Sequence, residues 1–198
     1  TWTEAVCQNY GGTITWVAKP MGVCGDNLTW MFDEATGTLT ISGTGKMWDF
    51  AWDDAHWRAD RAYIKQVVIE DGVTSIGKSA FFSCRDLVSV TIGEDVTTIG
   101  AQAFWNTNLV SIRIPDSVTV IGEEAFYACH SLGDVSFGGN VETIGDYAFT
   151  ECRFISCLTF PKSLTEIGSY AFFDCTNLTE ITFEGDAPSI GEDTFGNV

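Results

Sequence analysis

Positive charge is scarce. The 198 residues carry 10 Lys plus Arg against 27 Asp plus Glu, a formal net charge of −17. Such a surface repels phosphate backbones and anionic lipid heads, so no nucleic-acid partner is expected. The acidity reads first as a solubility device, and a steered basic partner is the sharper alternative. No apolar run reaches the ~18 residues of a membrane span, so no membrane insertion is expected of this chain. No signal peptide is visible at Thr1, and a mature or trimmed form is expected. Cys-x-x-Cys is missing among the seven cysteines, an odd number. Cys152 and Cys157 have neither a second pair at zinc-ribbon spacing nor a nearby His, so no metal and no cofactor is expected. His56 and His130 fall in no Ser-His-Asp or Cys-His-Asp grouping. Glu123-Glu124, Asp53-Asp54 and Glu94-Asp95 read as solvated loop carboxylates, not as a pair held across a glycosidase cleft. An enzyme is not expected.

What is present is repetition. Ile-Gly-x-x-Ala-Phe begins at Ile76, Ile99, Ile121, Ile144 and Ile167, with a degenerate copy at Ile190, at spacings of 23, 22, 23, 23 and 23 residues. A fixed period of this length marks a solenoid. A leading Ile or Leu (Ile64, Leu87, Leu109, Leu132, Ile155, Leu178) stands 12 residues before the isoleucine of all six such pairs. Pairs two apart, such as Val67/Ile69 and Leu158/Phe160, put apolar side chains on one strand face. The glycine is read as a bend, and x-x-Ala-Phe as about one turn of helix. Hydrophobic content of 45% supports a sizeable core in one or two domains.

Ahead of the repeats, residues 13–17 alternate as a short strand. Residues 27–45 read as a hairpin, with turn residues between Phe32 and Thr38. Cys7 and Cys24 bracket the N-terminal region, and a disulfide between them would be worth ~3 kcal/mol by loop-closure entropy. Trp48, Trp52 and Trp57, with Trp30, form an aromatic cluster. It is read as the plug that covers the open end of a solenoid, with a sugar-stacking platform as the alternative.

These units resemble the BspA-like class of leucine-rich repeats of bacterial surface proteins, and residues 24–45 resemble the β module that often precedes them. The resemblance implies a leucine-rich-repeat solenoid of α/β type. Parallel strands would lie on the concave face, joined by short helical turns, behind an N-terminal β-hairpin capping module. The expected division is a β module with a Trp-rich cap over 1–63 and about six repeat units over 64–198. The resemblance further implies a secreted or cell-surface bacterial protein with an adhesive role and a protein or surface glycoconjugate as ligand; a structural spacer that presents another domain is a further alternative.

The candidate binding face consists of the outward strand residues. They are Gln66, Val68, Ser89, Thr91, Ser111, Arg113, Asp134, Ser136, Cys157, Thr159, Glu180 and Thr182. Six strands at ~4.8 Å would give a ramp about 25 Å wide, suited to an extended partner. Cys84, Cys129, Cys152 and Cys175 share one repeat position. They are read as buried structural thiols of the turn, unbridged because side chains in register run parallel. Asn106, Thr107 and Asn108 replace that turn in the one short unit. Cys157 is read as an incidental exposed thiol.

Overall fold

Alternation in each unit decides which residues meet the core. The structure, a computed structural model, describes residues 20–52 and 54–198. Residues 13–17 and Cys7, and with Cys7 the expected bridge to Cys24, lie outside the described residues. The N-terminal strands are β1 (Met21–Gly25), β2 (Leu28–Asp33), β3 (Thr38–Gly43) and β4 (Gly45–Lys46). Each repeat unit then supplies two strands. The first three units give β5 (Gln66–Ile69) and β6 (Val73–Ile76), β7 (Ser89–Ile92) and β8 (Thr98–Ile99), then β9 (Ser111–Arg113) and β10 (Val120–Ile121). The last three give β11 (Asp134–Ser136) and β12 (Thr143–Ile144), β13 (Cys157–Phe160) and β14 (Glu166–Ile167), then β15 (Glu180–Phe183) and β16 (Ser189–Ile190).

The odd-numbered repeat strands build one parallel face and the even-numbered strands another. The second face is continuous from β4 to β16. The first runs β1-β2-β3-β5-β7, then breaks into the pairs β9-β11 and β13-β15. β2 and β3 form the expected hairpin, in register from Leu28↔Gly43 to Asp33↔Thr38, and Gly37 at φ 70 serves its turn. β3 continues directly into the repeats, since it pairs parallel with β5 from Thr38↔Gln66 to Ile41↔Ile69. The hairpin thus acts as the template for the first coil, and both sheets run across residue 63.

Core packing follows the repeat. The phenylalanine of each Ile-Gly-x-x-Ala-Phe copy stacks on the next, from Phe81 through Phe104, Phe126, Phe149 and Phe172 to Phe195, with ring centroids 4.9–5.5 Å apart. Trp57 closes the N-terminal end of this ladder. It stacks on Phe81 at 5.5 Å, is fully buried, and donates its Nε1–H to Ala80 O at 2.9 Å.

The turns are not helical; there is no helix among the described residues. Ala80, Phe82 and Cys84 N–H groups donate three residues back, to Gly77, Ser79 and Phe81 carbonyls. The N–H groups between them, on Ser79, Phe81 and Ser83, donate to Ala101, Ala103 and Trp105 of the next coil at 2.8–2.9 Å. A helix would have consumed those donors within its own coil. A chain of tight turns instead aims alternate donors along the solenoid, and it needs left-handed residues. One set lies three residues after the repeat isoleucine, at Ser79, Gln102, Glu124, Tyr147, Tyr170 and Asp193. The other lies four residues further on, at Ser83, Asn106, Ala128, Glu151, Asp174 and Asn197.

Few of these residue types favour that conformation, which costs an L-residue about 1–2 kcal/mol. Ser83 has φ 53 and only a long 3.5 Å side-chain contact with Asn106. Ser83→Gly is therefore expected to stabilise the fold by about 1 kcal/mol, read as a raised urea midpoint. A lowered midpoint would show that the site holds no strain.

Candidate functional site

Between the buried residues of the first parallel face, every outward residue named from the sequence is exposed, except Val68, which is half-buried. Parallel register sets them in rows. Gln66 lies beside Ser89 and Val68 beside Thr91; Ser111 lies beside Asp134 and Arg113 beside Ser136; Cys157 lies beside Glu180 and Thr159 beside Thr182. The face is small and polar. Arg113, the one cation in these rows, is paired through Nη1 with Glu94 Oε1 at 2.7 Å. Both partners are more than half exposed, so the pair is worth ~0–1 kcal/mol.

Two adjoining depressions, each about 350 Å³, lie on this face across β9, β11 and β13. Ser111, Arg113, Gly133 and Asp134 line the first; Phe137, Gly139, Thr159 and Glu184 line the second; Val135, Ser136 and Cys157 line both. Sequence reasoning did not find Gly133, Gly139 or Glu184. A signal existed for Gly133, the only glycine directly after a leading residue, where the other units have Lys65, Val88, Val110, Ser156 and Thr179. The nearest atoms to a side chain placed there are the Phe154 carbonyl and Cβ, at 3.5 and 3.8 Å, so the floor is low because the residue is small. Phe154 itself is 63% exposed.

The aromatic cluster divides. Trp57 is buried in the core ladder and offers no face to a sugar. Trp48 is partly exposed and donates its Nε1–H to Asp26 Oδ1 at 3.2 Å; Trp52 is 67% exposed. A second aromatic row, unseen in the sequence, runs Phe82–Trp105–Tyr127 along the half-buried turns. Its centroids are 4.5 and 5.8 Å apart and its planes lie within 7° of parallel. The faces of these rings are occupied by each other, which leaves their edges outward. Sugar stacking needs a free face, so Trp52 is the exposed part of any such platform.

The four repeat cysteines are buried and unbridged. Cys129, Cys152 and Cys175 each donate S–H to the carbonyl of the ladder phenylalanine one coil back, Phe104, Phe126 and Phe149, at 3.1–3.3 Å. In the short unit Thr107 takes the cysteine position, buried and 3.2 Å from Cys129 Sγ, while Asn108 is exposed. Burial pushes the thiols up, Cys129 to about 11 and Cys84 and Cys175 to about 12, so none is a thiolate nucleophile at neutral pH. Cys157 is exposed. Native labelling is expected to modify Cys157 readily and to reach Cys84, Cys129, Cys152 and Cys175 only after denaturation; fast native labelling of any of the four would refute their burial. The sign of the pH dependence follows. The folded state retains these protons above 9.0, where the unfolded chain loses them, so stability is full below pH 9 and falls as pH rises towards about 12.

The histidines are engaged locally. His56 Nδ1 lies 2.6 Å from Val23 O, and His130 Nδ1 lies 3.2 Å from Glu151 O. No group of three or more His, Cys, Asp or Glu among the described residues is arranged to hold a metal ion. Among the same residues, no helix is long and apolar enough to cross a membrane.

The chain matches, in six copies over residues 59–175 and 97–198, the family described as "BspA type Leucine rich repeat region". No curated protein matches its sequence. Three similar solved structures share the fold. A Treponema pallidum leucine-rich repeat protein is 22% identical with a TM-score of 0.67, covering 82% of each chain. The pneumococcal vaccine antigen PcpA is 19% identical with a TM-score of 0.59, covering 82% of this chain and 49% of that one. A Bacteroides ovatus leucine-rich repeat protein is 23% identical with a TM-score of 0.54, covering 84% and 54%. The chain thus spans about half the length of the last two.

Proposed function

Because the chain belongs to the BspA-type leucine-rich repeat family, we propose that it is a non-enzymatic binding module of a secreted or cell-surface bacterial protein. Its ligand is an extended protein segment or surface glycoconjugate held on the first parallel face. The observation that carries this reading is the contrast within each strand. Inward residues repeat as large apolar side chains, while outward residues vary from coil to coil and surround the paired depressions at Val135, Ser136 and Cys157. A solenoid presents such varied residues as one extended surface. The description of the pneumococcal neighbour as a vaccine antigen supports a surface location.

The test is capture from mucin, extracellular-matrix and bacterial-surface preparations, compared across two variants. Ser136→Arg fills the shared wall of the depressions and is expected to abolish capture. Glu166→Arg, exposed on the second sheet, is expected to leave it intact. Equal capture by both variants would remove the first face as the site. The carbohydrate alternative rests on the exposure of Trp52. Absence of any emission change with a glycan panel, or a change that survives Trp52→Ala, would end it.

A further inference from the structure

The first parallel face has two unlike sides. Where its strands begin, apolar side chains are exposed on successive coils. Val88 is 47% and Val110 54% exposed, each directly after a buried leading leucine. The next coil has Gly133 at that place, and the exposed Phe154 begins beside it. Backbone bonds tie these positions into one line, for Val110 N–H donates to Val88 O and Gly133 N–H to Val110 O. Where the strands end, the turns carry exposed carboxylates. Asp95 accepts from Gly72 N–H and Asp116 from Gly139 N–H, and no cation among the described residues pairs with either. Between the two sides lie the small polar residues and the depressions. The stacked phenylalanines put the coils 4.9–5.5 Å apart. An α-helix advances ~5.4 Å per turn, so a helix laid along the solenoid sets one turn on each coil. An extended peptide repeats each side of its chain every ~6.7 Å and runs about 3 Å out of step within two coils. The width agrees as well. Strands β7, β9, β11 and β13 have three or four residues. At ~3.3 Å per residue that is about 10–13 Å, and a helix with its side chains is ~10–12 Å across.

We propose that the first face takes an amphipathic basic α-helix, laid along the solenoid over the coils from Val88 to Phe154. This rests on the reading of that face as the binding surface, and it gives the elongated ligand a conformation and a charge. The apolar stripe of the helix covers Val88, Val110 and Phe154. Lys or Arg on its flank meet Asp95 and Asp116. About three turns span these coils. A second copy of this chain does not supply the occupant. It has no helix among the described residues, and its net charge of −17 opposes its own approach.

The probes are labelled leucine–lysine peptides of about fourteen residues and identical composition, measured by anisotropy against the whole chain. One has leucine at helical spacing and the other alternates strictly. The helical peptide is expected to bind at least about tenfold tighter, to gain helical dichroism on binding, and to weaken several-fold between about 50 and about 300 mM salt. Val110→Asp with Phe154→Asp, both at exposed positions, is expected to weaken it at least about tenfold, although the change adds two negative charges. Charge attraction alone would give the opposite result. Glu166→Arg, on the second sheet, is expected to leave binding unchanged. Equal binding of the two peptides, tighter binding to the aspartate variant, no helical gain, or tighter binding of a helical peptide with glutamate for lysine overturns the helix. The face itself then stands if Ser136→Arg abolishes the capture described above. Helical-peptide binding that survives Ser136→Arg removes the face and the helix together. Capture that periodate treatment of the preparation destroys and protease treatment spares identifies a glycan, and overturns the helix alone. So does a dimer seen by sedimentation that dissociates on Val110→Asp with Phe154→Asp, for a second copy then occupies the face.

Discussion

Phe126→Ala is expected to lower the unfolding free energy by about 3–5 kcal/mol, a large part of what a domain this size possesses. Phe126 is fully buried and stacks between Phe104 at 5.2 Å and Phe149 at 4.9 Å. Coils touch only their neighbours, so the ladder is one of the continuous apolar columns that couple the two halves of the solenoid. Its removal leaves a void that the hydrogen-bonded turns on either side hold open, because Phe104 N–H is fixed to Ala125 O and Phe126 N–H to Ala148 O. The loss is therefore also expected to uncouple the halves. All seven tryptophans lie at or before Trp105. Their emission reports the N-terminal half, while circular dichroism reports the whole chain. In the parent protein the two urea transitions are expected to coincide; in Phe126→Ala the dichroism transition is expected to begin at lower urea than the emission transition. Phe195→Ala, at the half-buried end of the ladder, provides the comparison and is expected to cost about 1–2 kcal/mol with coincident transitions. Coincident transitions in both variants, with a loss at Phe126 no larger than at Phe195, would show that the ladder does not couple the coils.

The ladder was legible because it repeats. One phenylalanine every 22 or 23 residues has a single role, and six copies in register identify it as core. The inward strand positions and the hairpin were readable for the same reason, through period-2 alternation and a glycine in the turn. The turn after Ile-Gly was misread as helical. Ala-Phe is compatible with a helix, and the residues that take positive φ, such as Ser79, Gln102 and Tyr147, carry no left-handed signal. What imposes the conformation is hydrogen bonding to the next coil, a long-range demand that no local window contains. Thr107 was likewise half-read. Its kinship with the cysteines appears only when the turn is placed against Cys129 Sγ. On the first face, alternation identified which residues point outward. The depressions are lined by residues of β9, β11 and β13 with the loops beside them, which only the assembled sheet brings together.

Gly145→Ala is expected to destabilise the protein by about 3 kcal/mol, although a methyl group is added to a residue with no positive φ. The sequence reading made this glycine a bend. The structure gives it another task. A Cβ at Gly145 would lie 2.7 Å from Glu123 N and 2.8 Å from Gly122 C, both backbone atoms of the preceding coil. The same conflict recurs at Gly100, Gly122, Gly168 and Gly191, at 2.4–2.7 Å from a backbone nitrogen one coil back. These glycines stack on one another, and their missing side chains set how closely the coils approach. Backbone cannot rotate aside as a side chain can. The added methyl must push the coils apart, lengthening the bond from Gly145 N–H to Ile121 O, now 2.8 Å, and loosening the contact of Phe126 with Phe149. Gly139→Ala is the control. There the nearest atom to a new Cβ is Asp116 Oδ1 at 3.7 Å, an ordinary contact, and the expected change is within ~0.5 kcal/mol. Urea unfolding of the two variants separates the explanations. If the glycines served only chain flexibility, both alanines would stabilise slightly by restricting the unfolded chain. A large loss confined to Gly145→Ala is the signature of coil spacing.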